Sequence, residues 1–225
     1  MTRRDVLKRG AGAVVGGTIA AAGAAWLYDS TGDAGLPKHE AADLRLANYF
    51  ADIDWPSSHP NISVAVGSED RIEQMVRAAV GGLDPDRGLA RFISRGDTVL
   101  IKPNVGFDRG PHLGATTHPE VLSAVIRLCR EAGARQIVVA DNPIEAPEAC
   151  FAKTRLREAT EAEGGKVMLP SQFRFQTVAV RDREPDPSRQ EALGRWQVFY
   201  TPLAEANKVI GLAPIKDHNL CSASM

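Results

Sequence analysis

Between Thr98 and Ala140 the chain runs from a short apolar strand, through one amphipathic helix, into a second short apolar strand, and this alternation constrains the fold more than any other feature. Thr98–Lys102 is apolar and stops at Pro103. The residue before a proline is pushed out of helical geometry, so Lys102 is expected to stay extended. Over Pro119–Ala132, the residues Val121, Leu122, Val125, Leu128, Cys129 and Ala132 recur at helical spacing, and Gly133 is placed to stop the helix. Gln136–Ala140 carries Ile-Val-Val, the pattern of a strand covered on both faces.

Other segments extend the pattern. Ile62–Val66 reads as a strand and Glu69–Val80 as a helix with Ile72, Met75, Val76 and Ala79 on one face. A polar helix is expected over Phe151–Glu163, short strands at Val167–Leu169, Phe175–Val180 and Trp196–Tyr200, and a core strand at Lys208–Leu212. Arg181–Gly194 is charged and contains Pro185 and Pro187, which makes it a surface loop. Strands alternating with helices predict an α/β fold, a mainly parallel sheet flanked by helices. After Leu212 the chain enters a polar loop and stops, so the fold is expected to be incomplete at the C-terminus.

The N-terminus carries an address. Thr2-Arg3-Arg4-Asp5-Val6-Leu7-Lys8 precedes Gly10–Leu27, an uncharged Gly/Ala-rich stretch, and small residues follow at Ala22-Gly23-Ala24. Twin arginines before a weakly apolar segment match a twin-arginine export signal and imply a periplasmic protein. The alternative is an inner-membrane anchor through residues 10–27, which are about long enough to span a bilayer but lack a Leu/Ile/Phe-dense core. The expected organisation is a signal segment over 1–28, a proline-punctuated linker over 29–61 with a short helix around Ala41–Phe50, and an α/β domain over 62–225.

Composition narrows the partners. The 27 Lys and Arg are matched by 28 Asp and Glu, mixed along the chain, which argues against a nucleic-acid surface and against a membrane contact beyond the signal segment. The three cysteines, Cys129, Cys150 and Cys221, are too scattered for a disulfide framework and lack CxxC spacing. Cys129 belongs to the apolar helical stripe and reads as core.

In an open α/β sheet, ligands collect outside the carboxyl ends of the strands. Three segments bring polar groups there: Lys102-Pro103-Asn104, Asp141-Asn142, and Lys216-Asp217-His218-Asn219. The candidate ligand-binding residues are Lys102, Asn104, Thr117, His118 and Lys216; the candidate metal ligands are Asp141, His218 and Cys221. Thr117-His118-Pro119-Glu120 also fits a capping box, with Thr117 capping the helix and Glu120 reaching back. The same helix start offers free amides to an anion. Gly106, Gly110 and Gly114 fit neither G-x-G-x-x-G nor a P-loop, so nucleotide binding has little support.

Val99-Leu-Ile-Lys-Pro-Asn104 with Thr117-His-Pro-Glu-Val121, the strand Ile137-Val-Val-Ala-Asp141, and Lys208-Val-Ile-Gly-Leu-Ala-Pro-Ile-Lys-Asp-His218 together resemble the domain-of-unknown-function family 362 over about residues 97–222. The resemblance implies Lys102, Asn104, His118, Lys216 and His218 as site residues. It also implies that an apolar stretch and a Lys-Asn-Gly type motif follow the second block, and that some members carry a ferredoxin-like cysteine cluster. Two expectations result. One is a periplasmic metal- or iron–sulfur-linked oxidoreductase, whose cluster the cysteine spacing of this chain does not support. The other is a non-enzymatic module for a small anionic ligand, or an accessory chain with a partner subunit.

Overall fold

A computed structural model describes residues 49, 53–179, 195–218 and 222–224, all within one compact unit, Asp43–Met225. The elements follow in the order α1 (Ile72–Leu83), β1 (Thr98–Pro103), α2 (Pro119–Glu131), β2 (Gln136–Val139), α3 (Pro147–Lys153), α4 (Leu156–Ala162), β3 (Lys166–Val167), β4 (Phe175–Ala179), β5 (Arg195–Phe199), α5 (Tyr200–Glu205), β6 (Lys208–Leu212), β7 (Lys216–His218) and β8 (Ser222–Ser224).

β1 lies inside a parallel sheet of order β3-β2-β1-β6. Val99 and Ile101 of β1 stand beside Ile137 and Val139 of β2, and β6 pairs on the other side from Val99↔Lys208 to Pro103↔Leu212. Alternate residues serve opposite faces, as the two-residue strand period requires. Val99, Ile101, Ile137 and Val139 join Leu122, Val125, Ile126 and Cys129 of α2, Phe151 of α3 and Leu156 of α4 in one core. Leu100, Val138, Ala140 and Met168 form the other, against Leu203 and Ala206 in and after α5. A one-residue slip would exchange these sets between faces. Burial of each Val, Ile, Leu or Phe contributes about 1.5–3 kcal/mol, which makes the observed register the deep minimum. β4–β5 and β7–β8 are separate antiparallel ribbons.

The α/β architecture with a parallel sheet is therefore as the sequence pattern implies, and three local expectations are corrected. Ile62–Val66 forms no strand; Ile62, Val64 and Val66 are 79%, 80% and 93% exposed. The segment lies along α1 instead: a Cβ on Gly82 would come within 2.2 Å of Ser63 Oγ, so the missing side chain gives Ser63 its seat. The helix expected over 151–163 starts earlier and breaks into α3 and α4. The break falls at Arg155, whose φ of 61° is left-handed and cannot continue a right-handed helix. Nor is this stretch simply polar, since Cys150, Phe151, Leu156 and Thr160 are buried. Finally, α1 begins at Ile72, after a 3-10 turn over Glu69–Arg71.

Residues assigned to the linker contribute to the packed unit. The Trp55 ring stacks on Phe92 at 5.3 Å and meets His59 edge-on at 5.4 Å. Tyr49 donates its hydroxyl to the Leu203 carbonyl at 2.8 Å. His59 Nε2 stands 3.7 Å from the buried Asp84 carboxylate. The segment expected to be an export signal, the loop expected over 181–194 and Cys221 lie outside the described residues. Among the described residues, no helix is long and apolar enough to cross a membrane.

Candidate functional site

The strand order reverses beside β1. From β1 the chain goes to β2 and β3 on one side, and it returns through β6 on the other. At such a switch point the loops leaving two neighbouring strands diverge and leave room for a ligand at their carboxyl ends. Those ends are Pro103 and Leu212, in register with each other.

The loop leaving β1, Asn104–Thr117, is closed on itself. Thr117 donates its N–H to the Asn104 carbonyl at 2.9 Å, and Asn104 donates its N–H to Thr117 Oγ1 at 2.9 Å. The Thr117 hydroxyl then donates to the Leu212 carbonyl at 2.6 Å. One buried side chain thus ties the end of β1 to the end of β6. This corrects the capping-box expectation: the N-cap of α2 is His118, whose Nδ1 accepts the Glu120 N–H at 3.3 Å. Thr117 uses its hydroxyl on the ends of β1 and β6, not on the helix. The helix start offers few free donors, because Pro119 has no N–H and His118 takes that of Glu120.

Asp141 fastens the loop to β2. Its Oδ2 accepts the Val105 N–H at 2.8 Å, and its Oδ1 lies 2.9 Å from Lys102 Nζ. The Lys102 side chain itself is 61% exposed, so its ammonium still faces solvent. Farther along the loop, Ile144 donates its N–H to the Gly106 carbonyl at 3.1 Å, and Asp108 donates its N–H to Glu145 Oε2 at 2.8 Å. Lys153 Nζ sits 2.8 Å from Asp108 Oδ2. That contact is the largest of the effects that hold the Asp108 carboxyl below its ordinary value.

Lys216 arrives from the β6 side. Its Nζ donates to the Ala115 carbonyl at 2.6 Å and lies 5.8 Å from the centre of the Phe107 ring. Both partners belong to the β1 loop. Lys102, Asn104, Thr117, Asp141 and Lys216 are therefore brought to one end of the sheet. His118 instead lines a recess of about 280 Å³ with Ser123, Arg155 and Glu158. A larger recess, about 580 Å³, lies between α1 and α2, where Arg77 and Arg127 are bound by Glu73, Glu131 and Glu163.

The chain's own residues do not fit a metal centre or an iron–sulfur cluster among those described. No three His, Cys, Asp or Glu side chains come together there. Both Asp141 oxygens are engaged, one of them by a cation. Cys129 and Cys150 are each sunk in the core, where burial pushes both thiols up, Cys129 to about 12. A thiolate is the metal-binding form, and such sites suppress it.

The family model of the domain of unknown function DUF362 matches residues 99–225, more than half of the 225-residue chain. The chain belongs to the DUF362 family. The matched region begins within β1 and includes the closed loop, Asp141 and Lys216, so the whole switch point of this DUF362 protein lies inside it. It is similar to the thylakoid-associated protein sll1697 of Synechocystis sp., 39% identical over 61 residues that cover 27% of this chain. The similarity spans only 19% of that protein. No solved structure matches the DUF362 chain.

One contact of the candidate site has no mark in the sequence. Ala115 is an unremarkable alanine in a glycine-rich loop, yet its carbonyl receives Lys216, and no side-chain pattern marks a backbone acceptor.

Proposed function

We propose that this DUF362 chain is a binding module for a small oxyanion, a carboxylate or a phosphate, held at the β1/β6 switch point by Lys102 and Lys216. The observation that supports the reading is the presence of two lysines at the same end of the sheet, one on each side of the switch point. Lys102 stands exposed at the end of β1, and Lys216 reaches the β1 loop from beyond β6. Only Lys102 of the two lysines is paired with the Asp141 carboxylate, and a lysine is a mobile point charge suited to an oxyanion of either geometry. Chemistry on that anion falls to a partner subunit. The Arg3-Arg4 segment supports delivery of the folded chain to the periplasm.

The test is thermal unfolding of the full chain in inorganic phosphate or acetate against sodium chloride of equal ionic strength. Binding at 100 times Kd stabilises a protein by about 2.7 kcal/mol, which for a chain of this size is a rise of roughly 5–10 °C. Lys102→Ala and Lys216→Ala should each abolish the rise, with the anion-free Tm of Lys102→Ala within a few degrees of wild type. Equal Tm values in both anions and chloride would refute the reading.

A further inference from the structure

We infer, building on that anion-site reading, that Thr116 is the buried hydrogen-bonding residue of the site, and that a bound oxyanion takes Lys216 over from the Ala115 carbonyl. Thr116 is 4% exposed, and among the described residues its Oγ1 has no hydrogen-bond partner. A buried hydroxyl is normally satisfied, and an exception calls for an explanation in function.

Three of the other four buried threonines among the described residues, Thr117, Thr154 and Thr160, show how readily the need is met. Thr154 and Thr160 each donate to a carbonyl four residues back, Cys150 and Leu156, at 2.7 Å. Thr117, next in the chain, uses its hydroxyl twice. Among the described residues, the two other unpartnered buried side-chain atoms, His59 Nδ1 and Arg127 Nε, belong to side chains whose remaining nitrogens face carboxylates. In Thr116 the entire polar function is idle.

Its place in the chain gives this meaning. Thr116 sits between Ala115, which Lys216 holds through its carbonyl, and Thr117, which locks the strand ends. The segment is thus fixed at Thr117 and held at Ala115 by a single bond to a lysine. An oxyanion is a stronger acceptor for an ammonium than a neutral carbonyl. Exchange of Lys216 onto the anion frees Ala115 and lets the Thr116 hydroxyl donate to the same anion. The cost of the unmet hydroxyl is then relieved only in the bound state, so it favours ligand binding without adding to the stability of the free protein. The ligand class is an oxyanion with at least two acceptor oxygens, one for the ammonium and one for the hydroxyl.

The experiment compares the full-length wild type, Thr116→Val and Thr116→Ser, each titrated with inorganic phosphate and with acetate in thermal unfolding and calorimetry. Valine keeps the shape and removes the hydroxyl. Its anion-free Tm should equal or exceed that of wild type, because an unpaired buried group has been deleted. Its Kd for the anion should rise roughly 10-fold or more, the usual loss for a hydrogen bond to a charged group, and Thr116→Ser should retain most of the affinity. A wild type that binds neither anion overturns the anion-site reading itself. A wild type that binds, beside a Thr116→Val that binds equally well, overturns the role of Thr116 and leaves that reading intact. A Thr116→Val variant with a clearly lower anion-free Tm also overturns it, by showing that the hydroxyl has a structural partner.

Discussion

Replacing Thr117 by valine removes one oxygen and strands two backbone groups at once, the Asn104 N–H and the Leu212 carbonyl. The side chain is buried and valine is nearly isosteric, so packing is preserved and the loss is polar. Each backbone group left without its partner costs about 1–3 kcal/mol. Asn104 and Leu212 are half-buried rather than sealed, which lets water recover part of each bond and puts the total at roughly 2–4 kcal/mol. For a chain of this length that is a fall in Tm of roughly 5–15 °C. Thr117→Ser is the control: it keeps the hydroxyl and loses one methyl group, about 1 kcal/mol. The assay is reversible thermal or urea unfolding of the full chain without added anion. If Thr117→Val melts within about 1 °C of wild type, or if serine is as damaging as valine, then the hydroxyl does not join the strand ends and the reasoning fails.

Other outcomes follow from the same structure. The Asp84 carboxylate is buried, and its bond from Arg91 Nε at 2.6 Å, outweighing the effect of burial, holds its pKa below the ordinary 3.8. A depressed folded value means that its stabilisation is complete above that pH and fades as pH falls through the folded value; Asp84→Asn should therefore lower Tm at neutral pH and flatten the acid side of the Tm–pH curve, and an unchanged curve would contradict this. Of the three cysteines, Cys129 and Cys150 are buried with raised thiol pKa values, so a thiol reagent should label no more than one site in the native chain and all three once unfolded. Gly133→Ala should destabilise by about 1–3 kcal/mol in urea unfolding, because Gly133 has φ 102° and an added Cβ would come within 3.2 Å of Arg95 Cα; a midpoint equal to wild type would refute the claim.

Much of the fold was legible because its signals are local. The bounds of β6 match the pattern Lys208–Leu212, and α2 starts at Pro119 and stops before Gly133, where the residue types demand it. Ile62–Val66 shows the limit of that legibility: its alternation is a good strand signal, but a strand needs a neighbour, and among the described residues none pairs with it. The break at Arg155 was hidden for a related reason, since arginine is a poor choice for a left-handed position and packing of Leu156 and Phe151 imposes it. At the candidate site, Lys102, Asn104, Asp141 and Lys216 were visible as polar residues following strands, and Thr117 as the expected cap of α2. Their partners were not.

By itself, the amino-acid sequence determined the strand–helix periodicity, the parallel α/β class, the DUF362 motifs and the set of polar residues at the carboxyl ends of the strands. These depend on side-chain type and spacing over a few residues, which a linear chain records in full. Only the tertiary structure decided that Thr117 bonds across to Leu212 instead of capping α2, that Lys102 pairs with Asp141, and that Lys216 rests on Ala115. Each joins segments distant in sequence, and two of the three use backbone carbonyls that every residue possesses. A threonine offers one hydroxyl to whichever acceptor the fold brings nearest; in this chain that acceptor came from the strand next to β1.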